Sequence, residues 1–149
     1  MSLSLSAIQG LMWVYRIPTG IKILEIISPF LDSDPTFYSF TKTADEQSLI
    51  VNDSHPGSPL LISIQQKLTE LLGSDGSLKI EKDWKALVVN GVLDFGLVGI
   101  LANISDTLAK AKIPIFVVST YDTDYVLVKQ DRFQEAVQAL QDSGCAVIL

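Results

Sequence analysis

The segment Gly91–Gly99 (GVLDFGLVG) gathers the residues of this chain whose types and spacing best suit chemistry. It joins a run of branched residues to a stretch of helical period. Amide protons at the start of a helix lack intrahelical acceptors and attract an anion such as a carboxylate. Gly96 and Gly99 let a ligand approach the backbone closely, and the carboxylate of Asp94 beside them suits an ammonium group. An α-amino acid carries both charges on one carbon, so a zwitterion fits this loop. Leu93, Phe95 and Val98 supply an apolar wall, and Leu97 opens the helix. Ser119 and Thr120, at the end of an adjacent strand, add hydroxyls. Asp122 or Asp124 offers a further carboxylate to a cationic ligand side chain.

The same residues have plainer uses. Asp94 is suited to capping the helix that follows, and a carboxylate has enough acceptor sites for both tasks. Gly96 and Gly99 also permit close helix–sheet packing. Phe95 and Val98 are of the types that fill cores. Ser119, Thr120, Asp122 and Asp124 are common turn residues.

Other chemistries fit less well. Gly91 and Gly96 have the spacing of a P-loop, but Leu97 and Val98 stand where Lys and Ser/Thr are required, and Asp94 repels phosphate. No dinucleotide fingerprint is present. His55 is the sole histidine and sits in a Pro/Gly loop. Cys145, the sole cysteine, opens a strand expected to be buried and inert. A Cys145–His55 couple needs a spatial approach that nothing in the sequence indicates. Asp122 and Asp124 alone are a thin metal set. Neither an enzyme nor a cofactor-binding protein is expected.

The elements that position the loop read clearly in the second half. Trp84–Asn90 is a strand. Leu97, Leu101, Ile104, Leu108 and Ala111 trace one helix face. Ile113–Thr120 and Tyr125–Lys129 are strands around a polar turn. Asp131 opens a helix, with Gln134 as its capping-box partner. Phe133, Val137 and Leu140 form that helix's buried face, and Gly144 ends it. Cys145–Leu149 is a last strand. The order is βαββαβ, a ferredoxin-like arrangement.

The first half is less regular. Leu11–Ile17 is a strand, Ile21–Ile27 is ambiguous between helix and strand, and Phe37–Lys42 with Ser48–Asn52 form a strand pair. Leu61, Ile64, Leu68 and Leu71 give a helical stripe ended by Gly73. Leu78–Glu81 is a short closing strand within a polar connector. No element is read before Leu11. Thr43, Asp45 and Leu49–Val51 match Thr120, Asp122 and Val126–Val128 at constant offset, an internal repeat.

Composition excludes several partners. With 11 basic against 17 acidic residues and a net charge of -6, the chain lacks the clustered cations that nucleic acid or an anionic membrane requires. Hydrophobic residues make up 48%, enough for a substantial core. No apolar run spans a bilayer, and no signal-peptide pattern opens the chain. A single cysteine forms no intrachain disulfide. A cytoplasmic location is expected.

The runs Leu93–Ala102, Ile113–Phe116 and Ser119–Val128 resemble the ACT domain. The chain is similar to small microbial two-ACT proteins related to the CASTOR-type amino-acid sensors. The likeness extends from Trp84 to about Leu140, and more weakly over Tyr15–Asp53, where Phe40–Glu46 and Ser48–Val51 carry it. The resemblance implies an α+β protein of two ferredoxin-like (ACT, βαββαβ) units with antiparallel sheets packed together, the first irregular. The units are expected at 1–82 and 83–149. It further implies an amino-acid-binding regulatory or sensor protein, with the ligand at an interface between ACT units. The expected ligand-binding set is Leu93, Asp94, Phe95, Gly96, Leu97, Val98, Ser119, Thr120, Asp122 and Asp124. The binding state would pass to a dimer mate or a regulated protein. The alternative is an adaptor that associates through apolar sheet faces without a small ligand.

Overall fold

In the structure, a computed structural model, residues 3–32, 35, 37–54, 57–90 and 99–149 are described. The chain forms two compact units, Gly10–Asp83 and Met1–Gln9 with Trp84–Leu149. The sequence reading put residues 1–82 in the first unit, whereas the first nine residues group with Trp84–Leu149.

The first unit runs β2 (Met12–Ile17), α1 (Ile23–Leu31), β3 (Tyr38–Lys42), β4 (Gln47–Asn52), α2 (Leu60–Leu72) and the start of β5 (Lys79–Val89). Its sheet order is β3-β4-β2-β5, and both β3 and β2 lie antiparallel to β4. Trp13, Tyr15 and Ile17 alternate along β2 onto the helix side. There they meet Ile23, Ile27 and Leu31 of α1 and Leu61, Ile64 and Leu68 of α2. Burial at steps of four resolves the ambiguous run after Ile21 as helix. Pro29 falls in the last turn of α1, and the carbonyl of Glu25, which Pro29 has no N–H to reach, accepts from the Ser28 hydroxyl at 3.3 Å. The Tyr15 hydroxyl, inside the core, donates to the Leu61 carbonyl at 2.8 Å, and burial pushes its pKa well above the ordinary phenol range.

β5 is one strand where the sequence suggested two. Asp83 lies within it with φ of 63°, a left-handed conformation that Asp tolerates better than most residues. Its carboxylate accepts from Trp13 Nε1 at 3.1 Å, and Lys82 Nζ lies 4.6 Å above the Trp13 ring.

The second unit contains β5 from Trp84, α3 (Ile100–Lys110), β6 (Phe116–Ser119), β7 (Asp124–Lys129), α4 (Phe133–Asp142) and β8 (Ala146–Ile148). It also contains β1 (Ser4–Ala7), which the sequence reading did not find. The sheet order is β6-β7-β5-β1-β8. β1 stands between β5 and β8, antiparallel to the first (Leu5↔Val89) and parallel to the second (Leu5↔Val147). The sheet is thus not wholly antiparallel. Leu5 is fully buried among Leu87, Val89, Ile104, Leu108, Val126, Val128 and Leu140, with Leu3 and Ala7 packed beside it.

Two further expectations fail. The Asp131–Gln134 capping box does not form. A 3₁₀ turn, Gln130–Arg132, precedes α4, which has Arg132 at its N-cap position and no side-chain cap hydrogen bond. The last strand is not buried, because β1 takes the inner place. Ile148 is 58% exposed and Leu149 74%. Among the described residues no helix is long and apolar enough to cross a membrane.

Candidate functional site

Leu93, Asp94, Phe95, Gly96, Leu97 and Val98 lie outside the described residues, as does His55. The residues that flank the loop are described. Asn90 follows β5, and Gly99 precedes α3 with φ of 85°, a left-handed N-cap position that favours glycine. The helix begins at Ile100, three residues later than the periodicity suggested, with Gly99 at its N-cap position.

The remaining candidates sit on the β6–β7 hairpin, and the structure separates them. Ser119 and Asp124 are its closing pair, and the Ser119 hydroxyl donates to Asp124 Oδ1 at 2.6 Å. They share a face with Val117 and Val126, and Val126 is core, so both lie on the helix side of the sheet. Thr120 serves the turn. Its amide donates to the Thr123 carbonyl at 2.8 Å, and its hydroxyl accepts from the Thr123 amide at 3.2 Å. Asp122 is exposed on the turn.

Four residues not singled out from the sequence complete this end of the sheet. The Thr123 hydroxyl donates to the carbonyl of Val89, the last residue of β5, at 2.8 Å. Asn90 Nδ2 donates to the Ser4 hydroxyl and Asn90 Oδ1 accepts from the Ser6 hydroxyl, both at 2.8 Å. Ser4 and Ser6 alternate with the core residue Leu5, so this polar group lies on the opposite face from Ser119 and Asp124. The alternation Ser4-Leu5-Ser6-Ala7 is the signal that reveals it.

The first unit repeats this hairpin. Thr43 donates from its amide to the Glu46 carbonyl at 2.9 Å, and its hydroxyl accepts from the Asp45 and Glu46 amides, each at 3.1 Å. Lys42↔Gln47 closes it as Ser119↔Asp124 closes the other. The sequence repeat is therefore a repeat of register. At the position of Asp124 stands Gln47, buried to 1% exposure. Its Nε2 donates to the carbonyls of Pro18 and Ile21 at 2.9 Å each, in the loop between β2 and α1.

Residues 79–142 match the ACT domain family. The match covers β5 to α4, without β1 or β8. The crystal structure of a protein from Agobacterium tumefaciens superposes with a TM-score of 0.72 at 22% identity, over 100% of this chain and 94% of its own. Clostridium acetobutylicum aspartate kinase, described as an allosteric enzyme, gives 0.69 at 17% identity. That alignment covers 95% of this chain and 34% of the kinase, so the chain spans about a third of that enzyme. The ligand-free regulatory subunit of aspartate kinase from Thermus thermophilus gives 0.66 at 12% identity, over 93% of this chain and 95% of the subunit. At these identities the likeness is one of fold: an α+β, ferredoxin-like architecture shared with regulatory ACT-domain proteins.

Proposed function

We propose that this protein is an amino-acid-binding regulatory protein that is not itself a catalyst. Its ligand sits at the strand–helix loop of the second unit, at an interface between ACT units. The ACT match over residues 79–142 and the regulatory character of the similar aspartate kinase subunits support this reading. The observation that carries it is the end of β6 and β7. Asp124 there presents a carboxylate, with the Ser119 hydroxyl beside it, where the first unit presents an amide. A carboxylate accepts from an ammonium, and a helix start suits the ligand's own carboxylate. Asp94 and the apolar residues around it complete the proposed set. Kinship with the CASTOR-type sensors belongs to the same proposal, as do a cytoplasmic location and signalling to a dimer mate or a regulated protein. Ligand binding would favour one arrangement of the protein over another and so supply the signal.

A thermal-shift panel of the common amino acids tests this. A ligand at about a hundredfold excess over its dissociation constant adds roughly 2.7 kcal/mol, a rise of roughly 5–10 °C in a chain of this size. The reading expects such a shift with at least one amino acid. It fails if none moves the transition.

A further inference from the structure

The first unit brings a side chain of its own to its strand–helix loop. In the first unit, five residues, 18–22, connect β2 to α1, against ten, 90–99, between β5 and α3 in the second. Carbonyls in such a turn need donors when they are withdrawn from water. Gln47 supplies them. Both of its Nε2 bonds, at 2.9 Å, go to loop carbonyls, those of Pro18 and Ile21, and the side chain is almost wholly buried. The register-equivalent Asp124, when ionised, has no proton to give to a carbonyl.

We infer that Gln47 is a built-in ligand of the first unit. Its primary amide occupies the place that a free amine or amide would take against the loop carbonyls. The first unit's loop is therefore closed to small ligands by the chain itself. This inference concerns residues 18–22 and 47 and stands apart from whether the second unit binds an amino acid.

Removing the amide vacates a slot of known chemistry. Gln47→Ala deletes a group the size of acetamide, leaves the Pro18 carbonyl without a donor and leaves the Ile21 carbonyl with only the Ile23 amide. The probes are acetamide, which carries two N–H protons, and N,N-dimethylacetamide, which carries none. The expected result is a lower melting temperature for Gln47→Ala and a saturable recovery with acetamide. That recovery should be about 3–6 °C at tenfold excess over its dissociation constant. Dimethylacetamide should have no such effect. Wild type, whose slot is filled, and Gln47→Leu, whose slot is filled without donors, should not respond to either probe. If Gln47→Ala is unfolded at room temperature, the readout is recovery of helical circular dichroism on adding acetamide. An equal response of Gln47→Ala and wild type to acetamide, no response at all, or equal responses to the two probes would overturn the inference.

Discussion

Gln47 and Asp124 occupy one register position in two hairpins that share their backbone bonding. In both hairpins a threonine at the first turn position donates its amide to the carbonyl three residues on and accepts on its hydroxyl from the amide of that same residue. In both, the closing pair sits at the same step of the ladder. The side chain that follows the turn differs in sign: a two-proton donor buried against its own loop in one unit, an acceptor held by Ser119 in the other. The contrast teaches that a repeated turn can keep the scaffold while one residue gives the first unit's hairpin a side-chain hold on its neighbouring loop. A second contrast lies beside β5. The first unit completes its sheet with the strand that follows its second helix. The second unit instead takes β1 from the N-terminus into that place and leaves β8 outside.

The largest test breaks the second contrast. Leu5 of β1 is fully buried in the second unit's core. Leu5→Ala should destabilise by about 2–5 kcal/mol, the range for truncating a buried leucine. Ile148 of β8, an exposed residue of the outer strand, should lose under about 0.5 kcal/mol on the same change. Urea melts of both variants measure this. If the two costs are equal, β1 is not the strand that closes the sheet.

Next comes the first contrast. Gln47→Leu keeps the bulk and removes the amide protons, leaving the Pro18 carbonyl unpaired and the Ile21 carbonyl with only the Ile23 amide. A loss of roughly 2–3 kcal/mol is expected, because an orphaned buried acceptor forfeits its solvation. Asp124→Asn retains an acceptor for Ser119 and should change stability by less than about 1 kcal/mol. The same urea melts compare the two. Equal losses would mean that Asp124 is as firmly built into its unit as Gln47 is into its own.

These two contrasts were unequally legible in the sequence. The α2 stripe, both hairpins and β7 follow from period alone, because each is defined by residues close in the chain. β1 escaped because its partners are Val89 and Val147, more than eighty residues away, and four alternating residues are a weak signal without them. β5 read as two pieces because the polar Glu81–Asp83 stretch resembles a connector, while Asp83 turns left-handed and keeps the strand continuous. The capping box at Asp131 failed because a 3₁₀ turn shifts the start of α4 to Phe133. Of the candidate site, the closing pair Ser119–Asp124 was found by type. Asn90, Ser4 and Ser6 required knowing where β1 lies, and the role of Gln47 required knowing which loop its amide reaches.

A smaller effect sharpens the hairpin comparison. Thr43→Val and Thr120→Val keep the branched shape and delete the hydroxyl that accepts from the turn amides. Each should lose about 0.5–1 kcal/mol, since exposed turn bonds contribute modestly. Urea melts of the two variants should give nearly the same figure. A cost confined to one hairpin would show that the shared bonding is not shared in energy.

The smallest test compares the two tryptophans. Trp13 Nε1 has a partner in Asp83, whereas Trp84 Nε1 is buried without one among the described residues. Both rings carry a lysine ammonium, Lys82 at 4.6 Å and Lys129 at 4.8 Å, so the cation contributes similarly to each. Trp→Phe removes similar volume and one N–H at either position. At Trp13 it also strips Asp83 of its donor and removes a reason for the left-handed turn in β5. At Trp84 it removes a donor that burial had left unsatisfied, which offsets part of the lost packing. Trp13→Phe should therefore be the more destabilising by about 1 kcal/mol, read as a difference in urea midpoint at constant slope. The reverse order would mean that ring volume, and not the state of the indole N–H, separates the two sites.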